Sequence, residues 1–90
     1  LNVNKSNFTI ESTGGTVIQP SAFPLVPGAP TVRVTGTNVT LRNLIVDGTG
    51  TGSIGIEGIG ADNLFVDGGS VFGNVVQIRL TNSDNGRIQN

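Results

Sequence analysis

A six-residue pattern occurs four times along this chain, and it restricts the fold more than any other feature. The copies are Asn7-Phe8-Thr9-Ile10-Glu11-Ser12, Asn38-Val39-Thr40-Leu41-Arg42-Asn43, Asn63-Leu64-Phe65-Val66-Asp67-Gly68 and Asn85-Gly86-Arg87-Ile88-Gln89-Asn90. Each runs Asn, two variable residues, an aliphatic residue, a polar residue, then Ser, Asn or Gly. Only the last copy carries Gly where the others carry a large apolar second residue. Successive starts lie 31, 25 and 22 residues apart (7 to 38, 38 to 63, 63 to 85). Self-similarity at such spacing, with insertions between copies, predicts a solenoid whose repeats share a cross-section and differ in their loops.

Two further apolar stretches accompany each copy. Leu1-Asn2-Val3, Val32-Arg33-Val34, Ile54-Gly55-Ile56 and Ile78-Arg79-Leu80 alternate in-out-in, the period-two signature of a half-buried strand. Thr16-Val17-Ile18, Leu44-Ile45-Val46 and Ser70-Val71-Phe72 follow the Asn-led copies. Three short strands per repeat, separated by Gly, Asn and Asp turns, predict an all-β chain. The expected form is a three-sided parallel β-helix of about three and a half coils. Two inward columns follow, one of Phe8, Val39, Leu64 and Gly86, the other of Ile10, Leu41, Val66 and Ile88. Helical periodicity is nowhere sustained, and Gly with β-branched residues opposes it.

Coils stacked ~4.8 Å apart place like residues above one another. Asn suits the corners, because it tolerates the left-handed conformation and its amide can bond to the next Asn in the stack. Asn7, Asn38, Asn43, Asn63, Asn85 and Asn90 are therefore expected to form structural ladders, with Gly68 interrupting one of them. Asn7-Phe8-Thr9 and Asn38-Val39-Thr40 also match a glycosylation sequon, a reading that ranks below the corner role. The fifth repeat position stacks Glu11, Arg42, Asp67 and Gln89; charges alternate over the first three, which attracts neighbouring coils in register.

Composition agrees with a thin β-core. The 90 residues permit one small domain, residues 1–90, with a Pro-rich loop insertion at 19–30. Met, Trp, Tyr and Cys are absent and only four residues are Phe, so no large side chains fill a globular centre. A net charge of −1 with 12% charged residues gives no basic surface for nucleic acid or anionic membrane. Without Cys there are no disulfides, thiol nucleophiles or thiolate metal sites, which suits a bacterial or viral surface protein. No apolar run approaches the ~20 residues that span a bilayer, so membrane insertion is not expected. No signal-like segment opens the chain, and an export signal would lie outside these residues.

The segment Asn38-Val39-Thr40-Leu41-Arg42-Asn43-Leu44-Ile45-Val46-Asp47-Gly48, followed by Ile54-Gly55-Ile56, resembles the right-handed parallel β-helix repeat of the pectin lyase-like superfamily. The resemblance covers essentially the whole chain and implies right-handedness. It does not select a function, since that fold carries polysaccharide lyases, hydrolases, esterases, tailspikes and adhesins. Enzymes of the family place their site over the first strand of each coil. Here the expected outward residues of that strand are Asn2, Arg33, Gly55 and Arg79, with Phe23 on the adjoining loop. Two arginines on one face suit the carboxylates of an acidic glycan, with Gly55 leaving room between them. The plainer reading, a pair of solubilising charges, is favoured over it.

The family's catalytic signatures do not carry over. The chain has no His, and no Asn-Thr-Asp, Asp-Asp or Arg-Ile-Lys run; Gly86-Arg87-Ile88-Gln89 lacks the Lys. Glu11, Asp47, Glu57, Asp62, Asp67 and Asp84 are scattered, whereas a glycosidase needs two carboxylates facing one sugar. Asp47 and Asp67 open Asp-Gly turns, where the carboxylate bonds its own backbone. No catalytic residue, cofactor or metal site is expected.

The leading expectation is a non-catalytic structural or binding segment of an extracellular or cell-surface β-helix protein, adhesin or fibre, with weak carbohydrate affinity. A fragment of a pectin lyase-like lyase or hydrolase, its catalytic residues outside the segment, is the first alternative. A filament subunit that self-associates through terminal coils is the second, because neither end carries a recognisable cap. A piece of a longer protein is favoured over end-to-end docking.

Overall fold

The structure, a computed structural model, describes residues 1–14, 17–19, 30–49 and 54–89. Eleven strands and no helix occur among these residues: β1 (Asn2–Val3), β2 (Phe8–Glu11), β3 (Val17–Ile18), β4 (Val32–Val34), β5 (Val39–Arg42), β6 (Ile45–Asp47), β7 (Ile54–Ile59), β8 (Phe65–Asp67), β9 (Ser70–Phe72), β10 (Val76–Thr81) and β11 (Arg87–Gln89). The chain is therefore all-β. Most of loop 19–30, together with Thr16, Phe23 and Asn90, lies outside the described residues.

Every strand pairing is parallel, and each sheet takes every third strand. The first sheet runs β1-β4-β7-β10, the second β2-β5-β8-β11 and the third β3-β6-β9. Val, Ile and Thr suit these strands because branched side chains pack on a pleated surface. Asn and Gly make the corners. Asn7, Asn38, Asn43, Asn63, Asn82 and Asn85 all have φ between 49° and 64°, and Gly68 has φ 70°. This is the left-handed region that Asn tolerates better than other non-glycine residues.

The second sheet has the expected register. Ile10 pairs with Leu41, Leu41 with Val66 and Val66 with Ile88, while Phe8 pairs with Val39. Burial along that column is not uniform, however. Leu41 and Val66 are buried, Ile10 is half-buried, and Ile88 is 57% exposed. Only the middle strands have apolar neighbours on both sides, so the expectation of four buried residues fails at Ile88. In the adjoining column Gly86 leaves a vacancy that Leu80 fills, its Cδ1 lying 2.5 Å from where a Cβ on Gly86 would stand.

The first sheet departs from expectation by two residues at β7. Val32 pairs with Ile56 and Ile56 with Ile78, while Gly58 lies between Val34 and Leu80. Glu57, not Gly55, therefore stands between Arg33 and Arg79. Alternation alone misses this, because a slip of two residues keeps the same faces inward. The deciding chemistry lies in the side chains. A Cβ on Gly58 would sit 3.0 Å from Leu80 Cδ2 and 3.1 Å from Leu64 Cδ2, so glycine there makes space for both leucines. A Cβ on Gly55 would lie 2.5 Å from the Gln77 carbonyl oxygen and from Val71 Cγ1, so this glycine belongs against β9 and β10.

Candidate functional site

The expected ligand-facing residues Asn2, Arg33 and Arg79 do fall in one column of the first sheet, which reads Asn2, Arg33, Glu57, Arg79. Glu57 changes its chemistry. This residue is only 4% exposed, and a carboxylate so enclosed requires a partner. Arg79 supplies one, its Nε donating to Glu57 Oε2 at 2.8 Å and its Nη2 donating to the same oxygen. Arg79 is thus engaged within the sheet, and the gap expected at Gly55 does not exist. Arg33 remains exposed beside Glu57 in register. By sequence Glu57 is one of several scattered carboxylates. The signal that identifies it is sign alternation down a column, the same logic that picks out Glu11, Arg42 and Asp67.

That second charged column forms as expected. Arg42 Nε donates to Asp67 Oδ2 at 3.0 Å and Arg42 Nη1 to Glu11 Oε2 at 3.3 Å. The hydrogen bond to Asp67, then that to Glu11, holds the Arg42 guanidinium above its ordinary pKa. Asp67 accordingly commits its carboxylate to the neighbouring strand. Asp47 behaves as an Asp-Gly turn should, with Oδ1 accepting the Thr49 backbone N–H at 2.9 Å. Its carboxyl is held below the ordinary value, first by the Thr49 hydroxyl and then by that N–H. On the same pair of strands the Arg87 guanidinium lies 4.7 Å from the centre of the Phe65 ring, a contact the repeat pattern does not signal.

Three of the repeat-leading asparagines bond side chain to side chain. Asn38 Nδ2 donates to Asn7 Oδ1 at 2.8 Å, and Asn63 Nδ2 to Asn38 Oδ1 at 2.7 Å. Among the described residues no bond joins Asn85 to Asn63, although Asn85 has the same backbone conformation, φ 58°. Asn43 lies beside Gly68, where a Cβ would stand 2.7 Å from Asn43 Oδ1; the next member of that column, Asn90, lies outside the described residues.

A hollow of about 160 Å³ is lined by Val66, Val71, Ile78 and Ile88 together with Gly68, Gly69, Ser70, Gln77 and Gln89. None of these side chains titrates near neutrality, so the hollow has no acid or base to offer a substrate. Phe23 lies outside the described residues. Comparison with protein-family models, curated proteins and solved structures finds no match to this chain.

Proposed function

We propose that the three parallel sheets are the sides of a right-handed β-helix of the pectin lyase-like type, acting as a non-catalytic shaft in an extracellular or cell-surface protein, adhesin or fibre. One observation supports this above the others. Several of the side chains capable of chemistry join one repeat to the next. Asn7, Asn38 and Asn63 bond to each other, Arg42 bonds both Glu11 and Asp67, and Arg79 bonds Glu57. A catalytic surface leaves such groups free to face a substrate. A shaft uses them to hold its register.

Carbohydrate affinity would rest on Asn2, Arg33 and Arg79, and it would be weak because an acidic ligand competes with Glu57 for Arg79. Folded protein incubated with pectin, alginate and host-glycan preparations tests the non-catalytic reading. No unsaturated or reducing sugar ends are expected; their release would replace the shaft with an enzyme.

A further inference from the structure

Asn85 is the one asparagine in this chain followed by glycine. We propose that Asn85 is a site of spontaneous modification, at which the Asn85-Gly86 linkage rearranges through a cyclic imide to aspartate and isoaspartate. The Gly86 backbone nitrogen, having lost its proton to solvent, attacks Asn85 Cγ. The new C–N bond closes a five-membered ring, the Cγ–Nδ2 bond breaks, and ammonia leaves after taking up a proton. Water then opens either carbonyl of the ring. One opening gives aspartate and the other gives isoaspartate, whose main chain runs through the former side chain. No oxidant or enzyme is required.

Three features single out this position. A glycine on the attacking side has no side chain to obstruct ring closure, whereas Asn7, Asn38 and Asn63 are followed by Phe8, Val39 and Leu64. Asn85 and Gly86 are both exposed, so water and base reach them. The amides of Asn38 and Asn63 are each fixed by a bond to the previous ladder member, and among the described residues no such ladder bond restrains Asn85. Ring closure needs the Gly86 nitrogen against Asn85 Cγ, a geometry that local opening of this exposed corner makes accessible.

Isoaspartate adds a backbone atom immediately before β11. Arg87, Ile88 and Gln89 then lose register with Phe65, Val66 and Asp67, along with the Arg87 N–H bond to the Leu64 carbonyl at 2.9 Å. Either product also places a carboxylate beside Asp84, whose own N–H is bonded to Asp62 Oδ1.

Peptide mapping of the folded 90-residue chain, held at mildly alkaline pH and body temperature, tests the proposal. Trypsin releases residues 80–87, carrying Asn82 and Asn85, and residues 34–42, carrying Asn38. Fragmentation should show Asp and isoAsp at position 85 while Asn38 stays intact, and Gly86→Ala should slow conversion at least severalfold. Should Gly86→Ala fail to fold, Asn85→Gln serves instead, since its larger ring closes slowly. Conversion of Asn82 or Asn38 as fast as Asn85 overturns the proposal. So does conversion confined to urea-unfolded protein, which means that the left-handed corner protects Asn85.

Discussion

At the scale of single residues, glycines and turn carboxylates fill roles that larger or neutral residues cannot. Gly69 has φ 84°, and a Cβ there would overlap the Leu44 carbonyl oxygen. Backbone cannot retreat as a flexible side chain can, and an L-residue is strained at that φ in any case. Gly69→Ala should cost about 3 kcal/mol or more, read from the urea midpoint, and an unchanged midpoint refutes this corner geometry. Asp47 adds a pH dependence. Because its folded pKa is lowered, its contribution is complete above the unfolded-chain value, ordinarily 3.8, and is lost as pH falls through the folded value. Wild type should therefore lose stability on acidification more steeply than Asp47→Asn. Parallel curves would leave the Thr49 bonds without energetic effect. The Asp47 turn was legible because Asp-Gly has a local meaning; Gly69 was not, because its need is set by Leu44 in the preceding repeat.

Between strands, register is legible where side chains repeat and is lost where the pattern is degenerate. Asn7, Asn38 and Asn63 mark the corner unambiguously, so the second sheet fell into register. In β7 the run Ile54-Gly55-Ile56-Glu57-Gly58-Ile59 alternates in two frames, and only contacts with Leu80, Leu64 and Arg79 choose between them. Burial is legible only in part: alternation makes every member of a column alike, and only the order of the copies marks Ile10 and Ile88 as its ends. The difference is measurable. Leu41→Asp buries an uncompensated charge at a position 1% exposed and should abolish folding, whereas Ile88→Asp should stay within about 1 kcal/mol of wild type. Equal effects in thermal unfolding would refute the burial gradient. Arg42→Glu stacks three carboxylates on adjacent strands, the new one lying between Glu11 and Asp67. Its melting temperature should fall, and added salt should restore part of the loss, because screening weakens repulsion between exposed charges.

For the molecule as a whole, the question is whether its surface binds anything or only holds its repeats together. The first-sheet column contains two cations and one anion, and Glu57 already occupies Arg79. Neutralising that carboxylate separates the alternatives. In Glu57→Gln the amide fills the same volume, while Arg79 loses its ion pair and is freed toward solvent on the face that also carries Arg33. If this face has latent affinity for acidic glycans, the variant should bind polygalacturonate or alginate at least severalfold more tightly than wild type at low ionic strength. That gain should fade with salt, because exposed contacts of this kind are screened over about 10 Å at 0.1 M. Adding Arg33→Ala and Arg79→Ala should then abolish it. Titration calorimetry on folded samples, with circular dichroism as the folding control, reads all three. Binding that ignores Glu57→Gln, or that survives loss of both arginines, places any glycan contact on another face. Absence of binding in every variant leaves the charged column with a single role, which is to hold one repeat against the next.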